Sequence, residues 1–310
     1  MSSEPVRIGT IDLDTSHAAV FAQLLHGGDR CRIAAVWDSG DIHPPGYAQQ
    51  FADEHQIAQV CQNYEEITEL VDAVMIHGVR WETHIDKAEG FITAGLPVLI
   101  DKPIVGSVAE AQRLLTLCND HNARITGGSS LRFAKEIIEL KDRGDDLGEV
   151  VTAYASGPGD FFSYGIHTHE MAAGVLGSGA KSVSYLGENR GVELFQVDYR
   201  SGAVLMMELH APVHTWHFTA TTTTGVHHTP IDASTLYQGL LDQFVALIEG
   251  QTPRATVDDL IESVLVMIAA QKSRRYRTAI FLEDLEMEDG FDGGVYTEEY
   301  RRLKYPDGWT

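Results

Sequence analysis

The feature that most constrains this chain is a regular alternation, over its first 126 residues, of short apolar runs with helix-forming segments. Val6–Ile11 reads as a strand and 16–25 as a helix. Then come a strand at 32–37, a helix at 47–55, a strand at 73–77 and a helix at 82–94 closed by Gly95. A strand at 97–100, the helix Val108–His121 and a strand at 124–126 complete the series. Strand and helix repeated in this order predict a parallel sheet with right-handed crossovers. The strand cores are apolar throughout rather than alternating, as a sheet covered on both faces requires.

The pattern changes at residue 127, so two domains are expected, 1–126 and 127–310. A helix at 133–143 precedes longer alternating strands at 150–156, 182–189, 192–200, 203–211 and 215–224. Ser201-Gly202 between two of them is a hairpin signal. Helices at 236–249 and 257–271 follow, and the acidic, aromatic stretch from Glu283 onward resists assignment. The fold class is therefore α/β, with an N-terminal parallel sheet and a C-terminal α+β domain built on a large, open, mainly antiparallel sheet. One face of that sheet has too few helices to cover it, so Val204, Met206 or their alternates are expected at a homodimer or homotetramer interface.

Charge narrows the partners. With 23 basic against 45 acidic residues the formal charge is −22. Such a surface repels phosphate backbones and anionic lipid, leaving a small molecule as the expected partner rather than nucleic acid or membrane. The three cysteines, Cys31, Cys61 and Cys118, have no paired or metal-ligand spacing and read as reduced thiols. The opening MSSEPVRIG lacks the basic and apolar segments of a leader, and the longest apolar stretch, 264–270, is too short to span a bilayer. A cytoplasmic location is the expectation.

Five stretches, in order, resemble the Gfo/Idh/MocA family of sugar and polyol oxidoreductases. Leu99-Ile100-Asp101-Lys102-Pro103 stands at the place of its Glu-Lys-Pro motif. Glu82-Thr83-His84 through Ala94-Gly95-Leu96-Pro97 is similar to its His-containing helix. Leu131-Arg132-Phe133, Gly165-Ile166-His167 and Gln271-Lys272-Ser273 with 279–282 are similar to later family segments. The resemblance covers about 280 residues. It implies a Rossmann domain that binds NAD or NADP and a substrate cleft against the second sheet. It also implies that Lys102 lies beside nicotinamide and substrate and that His167 is the acid or base. Removing hydride from a carbinol needs a base for the hydroxyl proton and a cation for the alkoxide, roles that suit His167 and Lys102. Arg132, His169 and Glu170 are the candidates for substrate contacts. Thr10, Asp12, Asp14 and Asp38, with Lys102, are those for the cofactor.

The chain departs from the family at three places. A dinucleotide fingerprint needs glycines so that the backbone can approach the pyrophosphate at a helix N-terminus. Here the glycine positions hold Asp12, Asp14 and His17. A carboxylate about 5 Å from a phosphate costs roughly 3 kcal/mol at an effective dielectric near 20. Weak or altered dinucleotide binding is therefore expected, to be tightened by replacing Asp12 and Asp14 with glycine. In the catalytic loop Ser163 stands where the family has an aspartate, and Asp160 is the nearby substitute. The second domain is also rich in histidine, including His167, His169, His210, His214, His217, His227 and His228. Imidazole and carboxylate suit zinc or manganese, but no short motif fixes a metal site.

Three functions stay open at this point. The first is an NAD(P)-dependent oxidoreductase of a sugar, polyol or related hydroxy compound. The second is a non-redox lyase or isomerase, metal-assisted or not. The third is a catalytically silent binding protein. In each, Lys102 and His167 are expected to share one cleft.

Overall fold

The computed structural model describes residues 4–308. Its first sheet is parallel and six-stranded, in the spatial order β3-β2-β1-β4-β5-β6. The strands are β1 Val6–Ile11, β2 Cys31–Trp37, β3 Gln59–Val60, β4 Ala73–Ile76, β5 Val98–Asp101 and β6 Ile125–Gly128. Between them run α1 Ser16–His26, α2 Tyr47–Glu54, α3 His84–Thr93 and α4 Val108–His121. β4 and β5 are buried at every position, which explains the apolar runs of β4 and of residues 98–100, with Asp101 ending β5 at the crevice. The reversal of strand order beside β1 leaves a crevice at the carboxyl ends of β1 and β4, where such sheets take ligands.

The second sheet has seven strands in the order β12-β11-β7-β10-β9-β8-β13. These are β7 Val150–Ser156, β8 Ala180–Asn189, β9 Val192–Tyr199, β10 Val204–Leu209, β11 His217–Thr222, β12 Val226–Pro230 and β13 Ile280–Phe281. β10 runs parallel to β7, and the other neighbours are antiparallel. Phe195, Val197, Leu205 and Met207 point inward and are fully buried. Each such side chain contributes about 1.5–3 kcal/mol by leaving water. They pack beneath α6 Gly165–Leu176 and α8 Val257–Tyr276. α7 Leu236–Ile248 packs against α1 and β6, while α5 Lys135–Lys141 lies against α6. Val204, Met206 and Leu194 occupy the opposite, helix-free face and are half-buried.

Four details differ from the sequence expectation. The helix expected at 133–143 begins as a 3-10 turn over Ser130–Phe133 and continues as α5. The run expected as one strand at 215–224 is the first arm of a β11–β12 hairpin. His167 lies on a helix, α6, where no helix was assigned. The unassigned C-terminal stretch contains α9, Gly293–Lys304, which folds back onto the first domain. Asp292 caps it, its carboxylate accepting from the Val295 amide at 2.9 Å. Among the described residues no helix is long and apolar enough to cross a membrane. Cys31 and Cys61 are buried, Cys118 is half-buried, and all three are free thiols.

Candidate active site

The chain leaves β1 through Asp12, whose φ of 60° is an uncommon backbone setting for a residue with a side chain. Its carboxylate turns inward and meets the Lys87 ammonium of α3 at 2.5 Å, both groups buried. The second carboxylate oxygen accepts from the Ser39 amide at 3.2 Å. Residue 78 must be glycine here, since a Cβ would stand 2.7 Å from the Asp12 carboxylate. Asp12 therefore places no unbalanced charge in the crevice. That corrects the expectation that it repels pyrophosphate, because Lys87 neutralises it.

Asp14 lies across the carboxyl ends of the strands. One carboxylate oxygen accepts from the Val79 amide at 2.7 Å, while the other is buried with no partner. Burial, reinforced by the charge of Asp12, raises its pKa well above the usual carboxylate range. Asp38, at the end of β2, accepts from the Leu13 amide at 3.0 Å, and burial chiefly pushes its carboxyl up to about 6. Thr10 is fully buried within β1 and does not reach the crevice, which corrects its assignment beside a cofactor.

α9 stands over these loops. Lys304 donates to the Asp14 carbonyl at 2.6 Å, and the Tyr305 hydroxyl pairs with His43 Nδ1 at 2.7 Å. The other nitrogen of His43 lies 3.0 Å from the Leu13 carbonyl. Glu82 accepts from the amides of Gly293 and Gly294 and so anchors the start of the helix. Tyr296 of α9 reaches into the second domain, where its hydroxyl donates to Ser163 Oγ at 2.7 Å. The C-terminal helix thus ties both domains across the crevice.

Beneath it lies a cavity of about 160 Å³, lined among others by His17, Lys102, Ser163, His167, Tyr296 and Tyr300. Lys102 follows β5 and leads into a cis peptide with Pro103. Its ammonium lies 3.2 Å from the Ser163 carbonyl and 3.3 Å from Ser163 Oγ. Burial lowers its pKa, while Asp101, Asp160 and Glu170 pull it back up. His167, in the first turn of α6, has Nδ1 2.5 Å from Ser129 Oγ. Burial, then the nearby Lys102 and His17, hold its pKa well below the usual imidazole value, so the ring is neutral at pH 7. Lys102, Ser163 and His167 are thus brought together.

The other candidates act from outside the cavity. Asp160 accepts from the Ser163 amide at 2.7 Å and fixes the loop that presents Ser163. Arg132, His169 and Glu170 do not line the cavity, in contrast to the substrate contacts expected of them. Arg132 pairs with Glu170 at 2.9 Å and donates to Ser263 Oγ at 2.9 Å. His169 bridges Ser263 and the Tyr199 hydroxyl at 2.9 and 3.2 Å. This buried network pins α6 to α8. Gly128 takes part, since its φ of 71° and its closeness to the Glu170 carboxylate both exclude a Cβ. The clustered second-domain histidines disperse: His210 faces Glu193, and His228 pairs with Thr219. Among the described residues no group of three or more His, Cys, Asp or Glu could hold a metal ion.

One wall of the cavity went unnoticed in the sequence. His17 Nδ1 lies 2.6 Å from Asp101 Oδ2, and His77 Nδ1 approaches the same oxygen at 3.2 Å. Burial alone would raise the Asp101 carboxyl, but the two imidazoles outweigh it and hold the group well below the usual range. Asp101 Oδ1 accepts from the Lys102 amide at 2.7 Å. The dyad therefore also positions Lys102.

A parallel sheet in this strand order, joined to an open mixed sheet with a polar cavity between them, defines an α/β protein whose first sheet has the Rossmann arrangement. Residues 8–129 match the model of the GFO_IDH_MocA oxidoreductase family, with its NAD-binding Rossmann fold. The match spans the first sheet and its helices, and the resemblance carried by the sequence motifs is borne out. No curated protein matches the chain by sequence. Among solved structures it is similar to a probable dehydrogenase from Thermotoga maritima, with a TM-score of 0.79, 17% identity, and 91% of this chain and 100% of that one covered. It is similar also to scyllo-inositol dehydrogenase from Lactobacillus casei with bound NAD(H) and scyllo-inositol (TM-score 0.78, 14% identity, 90% and 100% covered). A third is an oxidoreductase from Agrobacterium radiobacter in complex with NAD+, L-tartaric acid and magnesium (TM-score 0.74, 15% identity, 91% and 99% covered). At these identities the likeness is one of fold.

Proposed function

We propose that this protein is an NAD(P)-dependent oxidoreductase of a small polyol, sugar or related hydroxy compound, and that α9 must lift before the dinucleotide enters. The carrying observation is the convergence of Lys102 and His167 on one cavity at the carboxyl end of β5. Support for the substrate class comes from the scyllo-inositol bound in the fold neighbour described above. The cavity, at about 160 Å³, is below the ~300–1,000 Å³ of sites for drug-sized ligands, so it suits a small polar molecule.

The residues suit a dinucleotide only in part. The N-terminus of α1, with Thr15, Ser16 and His17 at the cavity wall, offers amides to an anion, and Asp38 stands where a ribose edge would lie. Lys304 and Tyr305, however, bond directly to the loops that the nucleotide would cross. The residues fit the group once α9 is displaced. When bound, nicotinamide supplies the hydride acceptor. The chain's own residues handle the proton and the charge. In the tautomer that donates Nδ1–H to Ser129, His167 offers the Nε2 lone pair to the substrate hydroxyl, and the Lys102 ammonium stabilises the alkoxide. Ser163, held by Asp160 and Tyr296, meets the Lys102 ammonium at the cavity wall.

Glu299→Pro tests the gate. Glu299 is exposed in the middle of α9, touches none of the cavity, and proline there costs the helix about 3 kcal/mol. Affinity falls with the fraction of molecules that are open, so loosening the helix strengthens apparent binding. NADH binding, followed by nicotinamide fluorescence, should tighten by at least about tenfold in this variant. Equal or weaker binding with an intact core would refute gating by α9.

The open sheet face carries a separate expectation. Leu194, Val204 and Met206 lie there beside Tyr154 and Glu208, which hydrogen-bond to each other. A homodimer or homotetramer through this face is expected at micromolar concentration in sedimentation, and a stable monomer would contradict it.

A further inference from the structure

We infer that His17, oriented by Asp101, is a proton-transfer residue in its own right, and that with Lys102 it equips the cavity for cofactor-independent enolisation of a small α-hydroxy ketone or aldehyde. The proposal rests on the same cavity as the oxidoreductase reading, but not on a dinucleotide.

The tautomer of His17 follows from its partner. An ionised carboxylate only accepts hydrogen bonds, so both imidazoles that meet Asp101 Oδ2 donate Nδ1–H to it. When the ring is neutral, His17 Nε2 carries the lone pair, and no protein partner meets it among the described residues. The ring lines the cavity and is slightly exposed, whereas its counterpart His77 is fully buried with Nε2 unpartnered. Phe21 stacks on the His17 ring at 5.8 Å between centroids, and Tyr237 meets it edge-on at 5.0 Å. Orientation by a carboxylate and confinement by aromatic rings are what make an imidazole an effective base. Position 17 is also where the dinucleotide fingerprint would have its third glycine. The side chain that narrows the phosphate path is thus the one that supplies a base to the cavity.

The step balances without an oxidant. A substrate carbonyl oxygen takes a hydrogen bond from the Lys102 ammonium. His17 Nε2 forms an N–H bond with the proton on the adjacent carbon, and the C–H electron pair becomes the C=C bond of an enediolate. The carbonyl π pair moves onto oxygen, where Lys102 holds the charge. Return of the proton to the same carbon gives exchange or epimerisation. Proton transfer between the two oxygens through His167 Nε2, with reprotonation at the neighbouring carbon, gives the aldose–ketose isomer.

The test uses the full-length protein, free of nucleotide, with dihydroxyacetone in D₂O. Loss of the CH₂ proton signal in NMR reports exchange. The wild-type protein should accelerate exchange over buffer. His17→Ala should reduce the acceleration about 10²–10⁴-fold, the usual contribution of a general base. Added imidazole, filling the space left at the cavity wall, should restore part of the rate in His17→Ala. Asp101→Asn should also slow exchange, because a carboxamide no longer fixes the His17 tautomer. Cooperative thermal unfolding checks that each variant is folded. Wild-type exchange no faster than buffer, or an undiminished rate in folded His17→Ala, would overturn the proposal. Adding NAD+ and a polyol to a parallel sample separates the two readings. Exchange without NADH formation leaves this proposal standing and counts against the oxidoreductase; NADH formation without exchange does the reverse.

Discussion

Asp12→Ala should destabilise the protein by about 3–5 kcal/mol, the usual cost of stranding one partner of a buried ion pair. The Lys87 ammonium is 7% exposed, and Asp12 is the only carboxylate it meets among the described ion pairs. Its other close neighbour is the ring of Trp37, with the ammonium 5.6 Å from the centroid, which cannot take over the charge. Removing Lys87 as well should recover most of the loss, so Asp12→Gly/Lys87→Met is expected to be far more stable than Asp12→Ala. Glycine also suits the φ of 60° at this position. Urea unfolding of the three proteins measures the coupling directly. If Asp12→Ala unfolds at the wild-type midpoint, the pair is not the constraint described. One consequence concerns the cofactor. Replacing Asp12 to restore a fingerprint glycine destroys a structural pair, so Asp14, whose carboxylate has one unpartnered oxygen, is the better position for restoring nucleotide affinity.

The second large effect is at His167. His167→Ala should lower kcat about 10²–10⁴-fold in a protein that still unfolds cooperatively, since a base at the reacting hydroxyl contributes that much. His167 is 8% exposed and its one direct hydrogen bond is to Ser129, so the anchoring of α6 depends mainly on the buried pair of Arg132 with Glu170, three positions further along the helix. Because burial and Lys102 hold His167 neutral, its activity should stay flat from pH 8 down to about 6 rather than fall as an ordinary imidazole protonates. A rate that halves near the ordinary imidazole value would show that the ring is not held neutral in this way.

The parts of this molecule that were legible in the sequence are those fixed by local pattern. β4 and residues 98–100 of β5 were readable because strand cores covered on both faces are apolar. α8 was readable over 257–271 from its apolar run, and the structure carries it on to Tyr276 from a capping box at Thr256 and Asp259. α6 was not, because ten of its twelve residues are buried, histidines and Glu170 included, and no polar stripe marks a helix. α9 left a usable trace. Asp292 supplies an N-cap, and Tyr296, Tyr300 and Lys304 recur every fourth residue on the face that meets the crevice. Glycines at its start and its acidic surroundings hid that period. Within the site, Lys102 and His167 came from motifs. The His17–Asp101 contact joins residues 84 positions apart, and no local rule announces it. Asp12 shows the opposite error. Its charge was read correctly, but its partner Lys87 lies 75 residues away and reverses the conclusion.

Reduction of NAD+ and NADP+ by small polyols, followed through nicotinamide absorbance, tests the central claim most directly. The account predicts NAD(P)H formation by the full-length protein, saturating at lower NAD+ in Glu299→Pro as α9 loosens and about 10²–10⁴-fold slower in His167→Ala. Absence of reduction with every polyol, in a folded Glu299→Pro protein as in the wild type, would contradict it.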